Sequence, residues 1–345
     1  MAGMHRRKFL TTAAMAASPL PAAQPVRFGI DLYSIRSQGW TPFQYLDYCA
    51  RWKAKVVHFS EIRFIGSLEE ANLRLVRAHA EKLGIEIEIG MRSICPTSKM
   101  FDPAQGTAEE QLTRMIHAAK IVGSPIVRAV LGSMADRTGP VGIEGHIDNT
   151  AKVLRNVRGL VVDNELKIAI ENHAGDMQAR ELKMLIEEAG KDFVGACLDS
   201  GNPLWTLEDP HLTLETLAPY VLTSHVRDSA VWREKDAVAV QWVRMGEGNI
   251  GIREYAKKYR ELCPGRAFSL EVIVTQPRLF AYGDPKFWEP YRKTPAWEFA
   301  RFLALADKGQ PHASIPPSSS KEAGVERERE DLEASIRFAH DELKI

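Results

Sequence analysis

Short apolar segments alternate with longer amphipathic segments along most of this 345-residue chain. The longer segments carry apolar residues three and four positions apart, as in "LEEANLRLVRAHAEKLG", which is the spacing of one helix face. Another, "MQARELKMLIEEAG", ends in a glycine, which commonly terminates a helix. Eight short runs are typical of buried strands: "VRFGIDL", "AKVVHFS", "IEIEIGM", "PIVRAVLG", "LKIAIEN", "FVGACLD", "YVLTSHV" and "FSLEVIV".

Eight strands alternating with helices over roughly 280 residues predict an α/β fold, the (β/α)8 TIM barrel. An open doubly wound sheet is the alternative. No glycine fingerprint follows the first strand, which argues against a dinucleotide-binding sheet.

Because 45 basic residues balance 45 acidic ones, the chain lacks the gross positive field of a nucleic-acid binder, and we expect no nucleic-acid partner.

The first residues have the order of an export signal. In "MAGMHRRKFLTTAAMAASPLPAAQPV", Arg6 and Arg7 precede a short, weakly apolar run, and small residues follow around Ala23. This order predicts a twin-arginine signal peptide over residues 1–24, too short to span a bilayer. The alternative is a disordered basic amino terminus. We expect a periplasmic or extracellular protein that has no membrane association once the signal is removed.

The composition changes again beyond Lys308. The predicted barrel covers residues 25–308, and residues 309–345 comprise a Pro/Ser-rich linker and a charged helix with an apolar stripe. That helix is expected either to be solvated and loosely docked on the barrel, or to contact a partner such as a second copy in a homo-oligomer.

The four cysteines are scattered without a CxxC pair, so neither a zinc-thiolate site nor a disulfide is predicted.

Polar residues collect at the predicted carboxyl ends of the last four strands. Glu171 ends strand five, Asp199 strand six and His225 strand seven, and Glu271 lies within the apolar run of strand eight. In a TIM barrel these ends meet at one mouth, where the chemistry takes place. Three carboxylates that lie close together cannot all stay ionised without a cation. One such set with an imidazole suits one divalent ion: Mn²⁺ is expected, with Mg²⁺, Co²⁺ or Zn²⁺ as alternatives.

The order E, D, H, E, together with "IENH", "LDSGN", "HVRD", "GEG" and "LEV", resembles the xylose isomerase-like TIM barrel superfamily. That group includes sugar isomerases and epimerases, inosose dehydratase and endonucleases of the endonuclease IV type. The resemblance covers about residues 27 to 305. It implies that Glu171, Asp199, His225 and Glu271 are metal ligands. It also implies that the two glutamates are the catalytic acid/base pair, one removing and one returning a proton beside a carbonyl, through an enediolate.

The chain departs from this pattern at three places. Asn202 stands where relatives often have a histidine, and Val231 where the epimerases have an arginine, for which nearby Arg227 could substitute. The endonucleases carry an Asp-x-His pair before "GEG", whereas this chain has Val240 and Trp242. A trinuclear phosphodiesterase site is therefore incomplete.

Further polar and aromatic residues near the strand ends are expected to bind substrate, the alternative for each being a structural role. His173 and Asp228 are expected to orient ligands or substrate rather than bind the metal, and Trp205 to stack on a sugar face or to pack as a rim aromatic. These residues are His58, Glu61, Arg92, His173, Asn202, Trp205, Arg227 and Asp228.

These observations predict a metal-dependent isomerase or epimerase of an unphosphorylated sugar, since no phosphate-cradling glycine loop is evident. The alternative in the same site is a lyase or hydrolase of keto-glycosides, which starts with the same proton abstraction and continues by β-elimination. A non-catalytic sugar-binding barrel and an apurinic endonuclease are less favoured. The partner is a small sugar or glycoside.

Overall fold

The structure is a computed structural model and describes residues 25–345; the predicted export signal lies outside the described residues. Eleven strands occur in the described part of the chain. They are β1 (Arg27–Asp31), β2 (Val56–Phe59), β3 (Glu86–Ser93), β4 (Ile126–Val130), β5 (Lys167–Glu171), β6 (Val194–Asp199), β7 (Val221–His225), β8 (Asp228–Arg233), β9 (Val238–Val243), β10 (Ala267–Leu270) and β11 (Arg278–Phe280).

Nine α-helices occur in residues 25–345, joined to the strands by loops and short 3-10 turns. The helices are α1 (Pro42–Arg51), α2 (Glu70–Leu83), α3 (Ala108–Val122), α4 (Gly142–Asp163), α5 (Ala179–Ala189), α6 (Pro210–Leu217), α7 (Ile252–Leu262), α8 (Ala296–Ala306) and α9 (Lys321–Phe338). None of the described helices is both long enough and apolar enough to cross a membrane.

The predicted TIM barrel is confirmed, and each of the eight predicted runs overlaps a barrel strand. The parallel sheet runs in the order β10, β1, β2, β3, β4, β5, β6, β7. Val226 and Leu270 bridge its two edges, and the Val226 amide donates to the Ser269 carbonyl at 2.7 Å, which nearly closes the ring. The strands are apolar on both faces because side chains fill the interior and helices cover the outside.

A small antiparallel sheet of β8, β9 and β11 was not predicted. β8 and β9 form a hairpin directly after β7, and β11 pairs with β9 from the segment that follows β10. The hairpin brings Trp242 of β9 to the cavity at the carboxyl ends of the barrel strands. α8 packs on β8, so residues 271–320 form an insertion beside the mouth.

The helix α9 is part of the barrel rather than a loosely docked addition. Its apolar stripe, Leu332 and Ile336, is fully buried. The Tyr48 hydroxyl of α1 donates to Glu333, and Arg260 of α7 donates to the Leu343 carbonyl just beyond α9. The helix therefore lies between α7 and α1, against β10 and the turn after β1, in the place of the barrel's eighth helix. The expectation of a loosely docked, solvated helix is wrong because this seam would otherwise expose apolar strand residues.

Candidate metal centre and active site

Four side chains converge at the carboxyl ends of four neighbouring strands. Glu171, Asp199 and His225 are the last residues of β5, β6 and β7, and Glu271 is the residue after β10, one position beyond the strand that was predicted to contain it. Each offers one ligand atom, and these four atoms lie within 4.8 Å of one another. The parallel register produces this arrangement, since Asp199 pairs with His225 across β6 and β7. All four residues are buried.

The imidazole of His225 is oriented as a metal ligand requires. Its Nδ1 lies 3.0 Å from Glu171 Oε2 and 3.3 Å from Glu271 Oε2, and this buried nitrogen has no hydrogen-bond partner in the described chain. Its Nε2 forms a hydrogen bond with His58 Nδ1 at 2.7 Å. A hydrogen bond on one ring nitrogen fixes the tautomer and leaves the other nitrogen to bind an ion.

The carboxylates require positive charge in this cage. Burial, with Glu271 and Glu171 nearby, raises the pKa of Asp199 to about 7 although Arg227 lowers it. Burial also raises the pKa of Glu271, but Arg227 and His225 outweigh that effect and bring it to about 2. Three carboxylates and a buried, unpartnered imidazole nitrogen fit a divalent cation, which would keep all three acids ionised.

Two arginines partly neutralise the cage. Arg128 Nε donates to Glu171 Oε2 at 2.6 Å. Arg227 Nη2 donates to Asp199 Oδ2 at 2.5 Å and also to Glu271 Oε2. The guanidinium of Arg227 lies 4.3 Å from the centre of the Trp242 ring, so a cation–π contact holds it above the cage.

A second polar layer lies beneath the cage, inside the barrel, and it was missed in the sequence. Asp31 Oδ2 is 3.3 Å from His225 Nε2, and Glu88 Oε2 is 3.7 Å from His58 Nδ1. Asp31, Glu88 and His58 are all buried. His58 was predicted to bind substrate, but it lies under His225 and does not line the cavity. It contacts His225 Nε2 instead, because it lies two residues before Ser60, the residue of this segment that reaches the cavity.

Above the cage lies a cavity of about 350 Å³. Among the residues that line it, six were predicted to bind substrate: Glu61, Arg92, His173, Asn202, Trp205 and Arg227. Glu271 forms part of its floor, whereas Glu171, Asp199 and His225 lie deeper. This volume is near the lower end of the range for ligand sites, about 300–1,000 Å³. The cavity therefore suits one small polar ligand.

Asp228, also predicted to contact substrate, has a structural role instead. It is fully buried, and its Oδ2 accepts hydrogen bonds from the amides of Gly246 (2.9 Å) and Gly248 (3.1 Å). A Cβ on Gly248 would lie 2.2 Å from Asp228 Oδ1, so the "GEG" turn needs glycine at this position. Asp228 does not line the cavity because these amides hold its carboxylate against the turn after β9.

Asn202 and His173 connect the cavity wall to the cage. Asn202 Nδ2 donates to Glu171 Oε1 at 3.2 Å, and its backbone amide donates to Asp199 Oδ1 at 2.7 Å. His173 Nδ1 forms a hydrogen bond with the Gly132 carbonyl at 2.7 Å, which leaves Nε2 for other partners. Asn172, on the other side of β5, exchanges two hydrogen bonds with the backbone of Asp199 and so fixes two strand ends together.

Two tryptophans form one wall of the cavity. Trp205 and Trp242 are stacked with ring centres 4.4 Å apart and an angle of 5° between their planes. Trp242 occupies a place where the endonuclease pattern requires a metal-binding residue, so this wall is aromatic. No periodicity in the sequence indicates this pairing, because the two rings come from distant segments.

The family model "Xylose isomerase-like TIM barrel" matches residues 46–285. The chain belongs to this family. One curated relative, similar to this xylose isomerase-like barrel, is 3-oxo-isoapionate decarboxylase from Pectobacterium atrosepticum, 24% identical over 219 residues, or 64% of this chain and 72% of the relative.

Solved structures share the fold at lower identity. A D-psicose 3-epimerase crystallised in the presence of D-fructose has a TM-score of 0.60 and 15% identity, covering 92% of this chain and 99% of that one. The IOLI protein, whose crystal structure contains a zinc atom, has a TM-score of 0.57 and 13% identity, covering 83% and 100%. The proteins that this xylose isomerase-like barrel resembles thus include a decarboxylase, a D-psicose 3-epimerase and a protein crystallised with zinc.

Proposed function

We propose that this protein is a divalent-metal-dependent isomerase or epimerase of an unphosphorylated sugar, acting by abstraction of a proton beside a carbonyl. The observation that carries the proposal is the unpartnered Nδ1 of His225, facing the carboxylates of Glu171 and Glu271 beneath a sugar-sized cavity. Family membership and the epimerase fold likeness support it.

Glu271 is the group that accepts the substrate proton. It lines the cavity, and its low pKa keeps it ionised. Its Oε2 accepts a hydrogen bond from Arg227, which leaves Oε1 to receive the proton. When bound, the metal supplies Lewis-acid polarisation of the substrate oxygens. Glu171, Asp199, His225 and Glu271 would hold it.

Glu171 is the partner on the opposite face: it takes up a proton from water and passes that proton to the substrate carbon, while Glu271 releases to solvent the proton that it removed. It belongs to β5, three strands from Glu271 around the ring. Arg128 and Asn202, which both line the cavity, cover its carboxylate, so one of them shifts when substrate enters. The stacked wall of Trp205 and Trp242 offers an apolar surface for the carbon–hydrogen face of a sugar ring.

The alternative reaction in the same site is β-elimination from a keto-glycoside. The relative 3-oxo-isoapionate decarboxylase takes its name from a 3-oxo substrate, which favours an activated carbonyl in the sugar itself. After the same proton abstraction, elimination releases an aglycone, whereas epimerisation releases nothing. Proton exchange with solvent and no loss of an aglycone therefore identifies the epimerase.

The test is NMR detection of substrate proton exchange in deuterated water, with ketoses and 3-keto-glycosides and added Mn²⁺. Glu271→Gln should abolish exchange because an amide cannot accept the proton. Glu289→Gln, an exposed residue in the insertion, is the matched control and should retain full exchange. Undiminished exchange in Glu271→Gln, or an active protein that contains no divalent ion by metal analysis, would refute the proposal.

A further inference from the structure

The cavity above the cage is unusually rich in cations for a site that takes a neutral sugar. Three guanidinium groups line it, those of Arg92, Arg128 and Arg227. Arg128 and Arg227 are each bound to cage carboxylates. Arg92 is exposed at the end of β3 and has no acidic partner or hydrogen bond among residues 25–345. It is a free cation at the mouth.

The charges of the loaded site do not balance without an anion. Glu171, Asp199 and Glu271 bring three negative charges, and Arg128 and Arg227 bring two positive charges. With Asp31 beneath the cage as a fourth acid, a divalent ion balances these charges without Arg92.

Arg92 therefore adds one positive charge that these groups do not balance. Glu61, the acid that lines the cavity besides Glu271, is already paired with Arg63 and adds no compensation. A cleft with excess charge of one sign attracts ligands of the other sign.

We infer that the substrate of this site is a sugar acid, and that Arg92 binds its carboxylate at the cavity wall opposite Glu271. This inference rests on the proposed function for the identity of the site, and it narrows the substrate class. Arg92 presents its donors in a planar fork, which suits a carboxylate. Ser133, on the same side of the cavity, accepts the Ala135 amide at 3.3 Å, so its hydroxyl proton remains free to donate.

The experiment compares two ligands that do not react and differ at one carbon. D-gluconate carries a carboxylate where D-glucitol carries a hydroxymethyl group. Isothermal titration calorimetry with the Mn²⁺-loaded protein at low ionic strength should show gluconate binding at least about tenfold more tightly, the effect of one charge-assisted hydrogen bond. Added salt should reduce this ratio because Arg92 is exposed.

Substitution of Arg92 separates its contribution from that of the metal ion, which could also bind a carboxylate. In Arg92→Gln the ratio between the two ligands should fall to about one, and Arg92→Lys should retain part of it. Arg74→Gln, which removes an exposed arginine on α2, is the control and should keep the full ratio. Equal binding of the two ligands to the parent protein, or an unchanged ratio in Arg92→Gln, would overturn the inference.

Proton exchange measured in parallel keeps the two proposals distinct. D-fructuronate and D-fructose differ by the same change, at C6. Exchange with fructose and no acid preference would overturn the inference and leave the proposed function standing. An acid preference that disappears in Arg92→Gln would support the inference even if neither ketose exchanged a proton, a result that would count against the proposed function.

Discussion

At the scale of single residues, the metal-free cage has three carboxylates and only two arginines to neutralise them. Asp199 is the acid that shows it most clearly, since burial and two neighbouring carboxylates raise its pKa to about 7. Its partner Arg227 also donates a hydrogen bond to Glu271, so this single guanidinium cannot neutralise both carboxylates. The cage is therefore prepared for a cation.

The first prediction concerns the pH dependence of stability. Without metal, folded Asp199 holds its proton up to about pH 7, well above its ordinary pKa of 3.8. The stability from this group is complete below about pH 4 and is lost as the pH rises toward and through 7. Urea unfolding of chelator-treated Asp199→Asn should show a weaker fall between pH 5 and 8 than the parent.

Glu88 and Glu208, whose pKa values burial also raises to about 7, titrate in both proteins and cancel in this comparison. Parallel pH profiles for the parent and Asp199→Asn would contradict the prediction. In the parent, the affinity for Mn²⁺ should rise over the same pH range, because the ion displaces the proton.

The second prediction concerns His58, which lies beneath the metal ligand. Because His58 Nδ1 is bonded to His225 Nε2, His58→Ala should weaken Mn²⁺ binding by about 10- to 100-fold. Calorimetric titration with Mn²⁺ measures this. The exposed residue His117 provides the control, and His117→Ala should bind Mn²⁺ as the parent does. Unchanged affinity in a folded His58→Ala protein would exclude this supporting role.

At the scale of elements, α9 shows how an apparent appendage completes the barrel. Its buried stripe fills the seam between β10 and β1, and residues 271–320 separate it from the strand that it follows. Such an insertion reduces the stability of the fold only slightly, because the entropic cost of closing a loop grows slowly with its length. The small sheet and α8 are carried in that insertion.

The third prediction tests this packing. Ile336→Ala removes a fully buried side chain and should lower the free energy of unfolding by about 2–5 kcal/mol. Glu330→Ala, on the exposed side of the same helix, should change it by less than about 0.5 kcal/mol. Chemical denaturation of both variants provides the comparison. A loss of less than about 1 kcal/mol in Ile336→Ala would mean that α9 adds little to the barrel.

At the scale of the whole molecule, one ion would connect four strands that lie side by side. Its ligands come from β5, β6, β7 and the residue after β10, and β7 and β10 are joined by the single bridge between Val226 and Leu270. Metal binding would therefore reinforce the point where the ring is least regularly paired.

The fourth prediction follows from that linkage. Mn²⁺ at 100 times its dissociation constant should raise the free energy of unfolding by about 2.7 kcal/mol, and EDTA should reverse the effect. Thermal unfolding measures the shift. His225→Asn should lose most of it, because the ligand nitrogen is removed. An identical Tm for the parent with Mn²⁺ and with EDTA would argue against a metal centre.

The sequence was sufficient to predict the barrel and the convergence of the four candidate ligand residues. Strands that are buried on both faces appear as apolar runs, and polar residues such as Glu171 stand out at their ends. Asp31 and Glu88 could not be found in this way. Each lies inside an apolar run, and only the inner layer of the closed barrel gives it a partner.

Other features depend on contacts between distant segments. Trp205 and Trp242 stack only because the hairpin of β8 and β9 folds over the mouth. His58 and Asp228, two residues predicted to bind substrate, do not line the cavity. Their positions depend on contacts with His225 and with the turn after β9, which periodicity does not define.

The position of α9 also has a consequence for synthesis on the ribosome. β1 is among the first described residues to be made, yet the helix that covers its seam with β10 is among the last. A nascent chain that lacks residues 321–345 leaves Phe28 without the contact that His340 provides. Folding of the barrel can therefore finish only after this helix has been made, so the partly made barrel must be protected from aggregation until then.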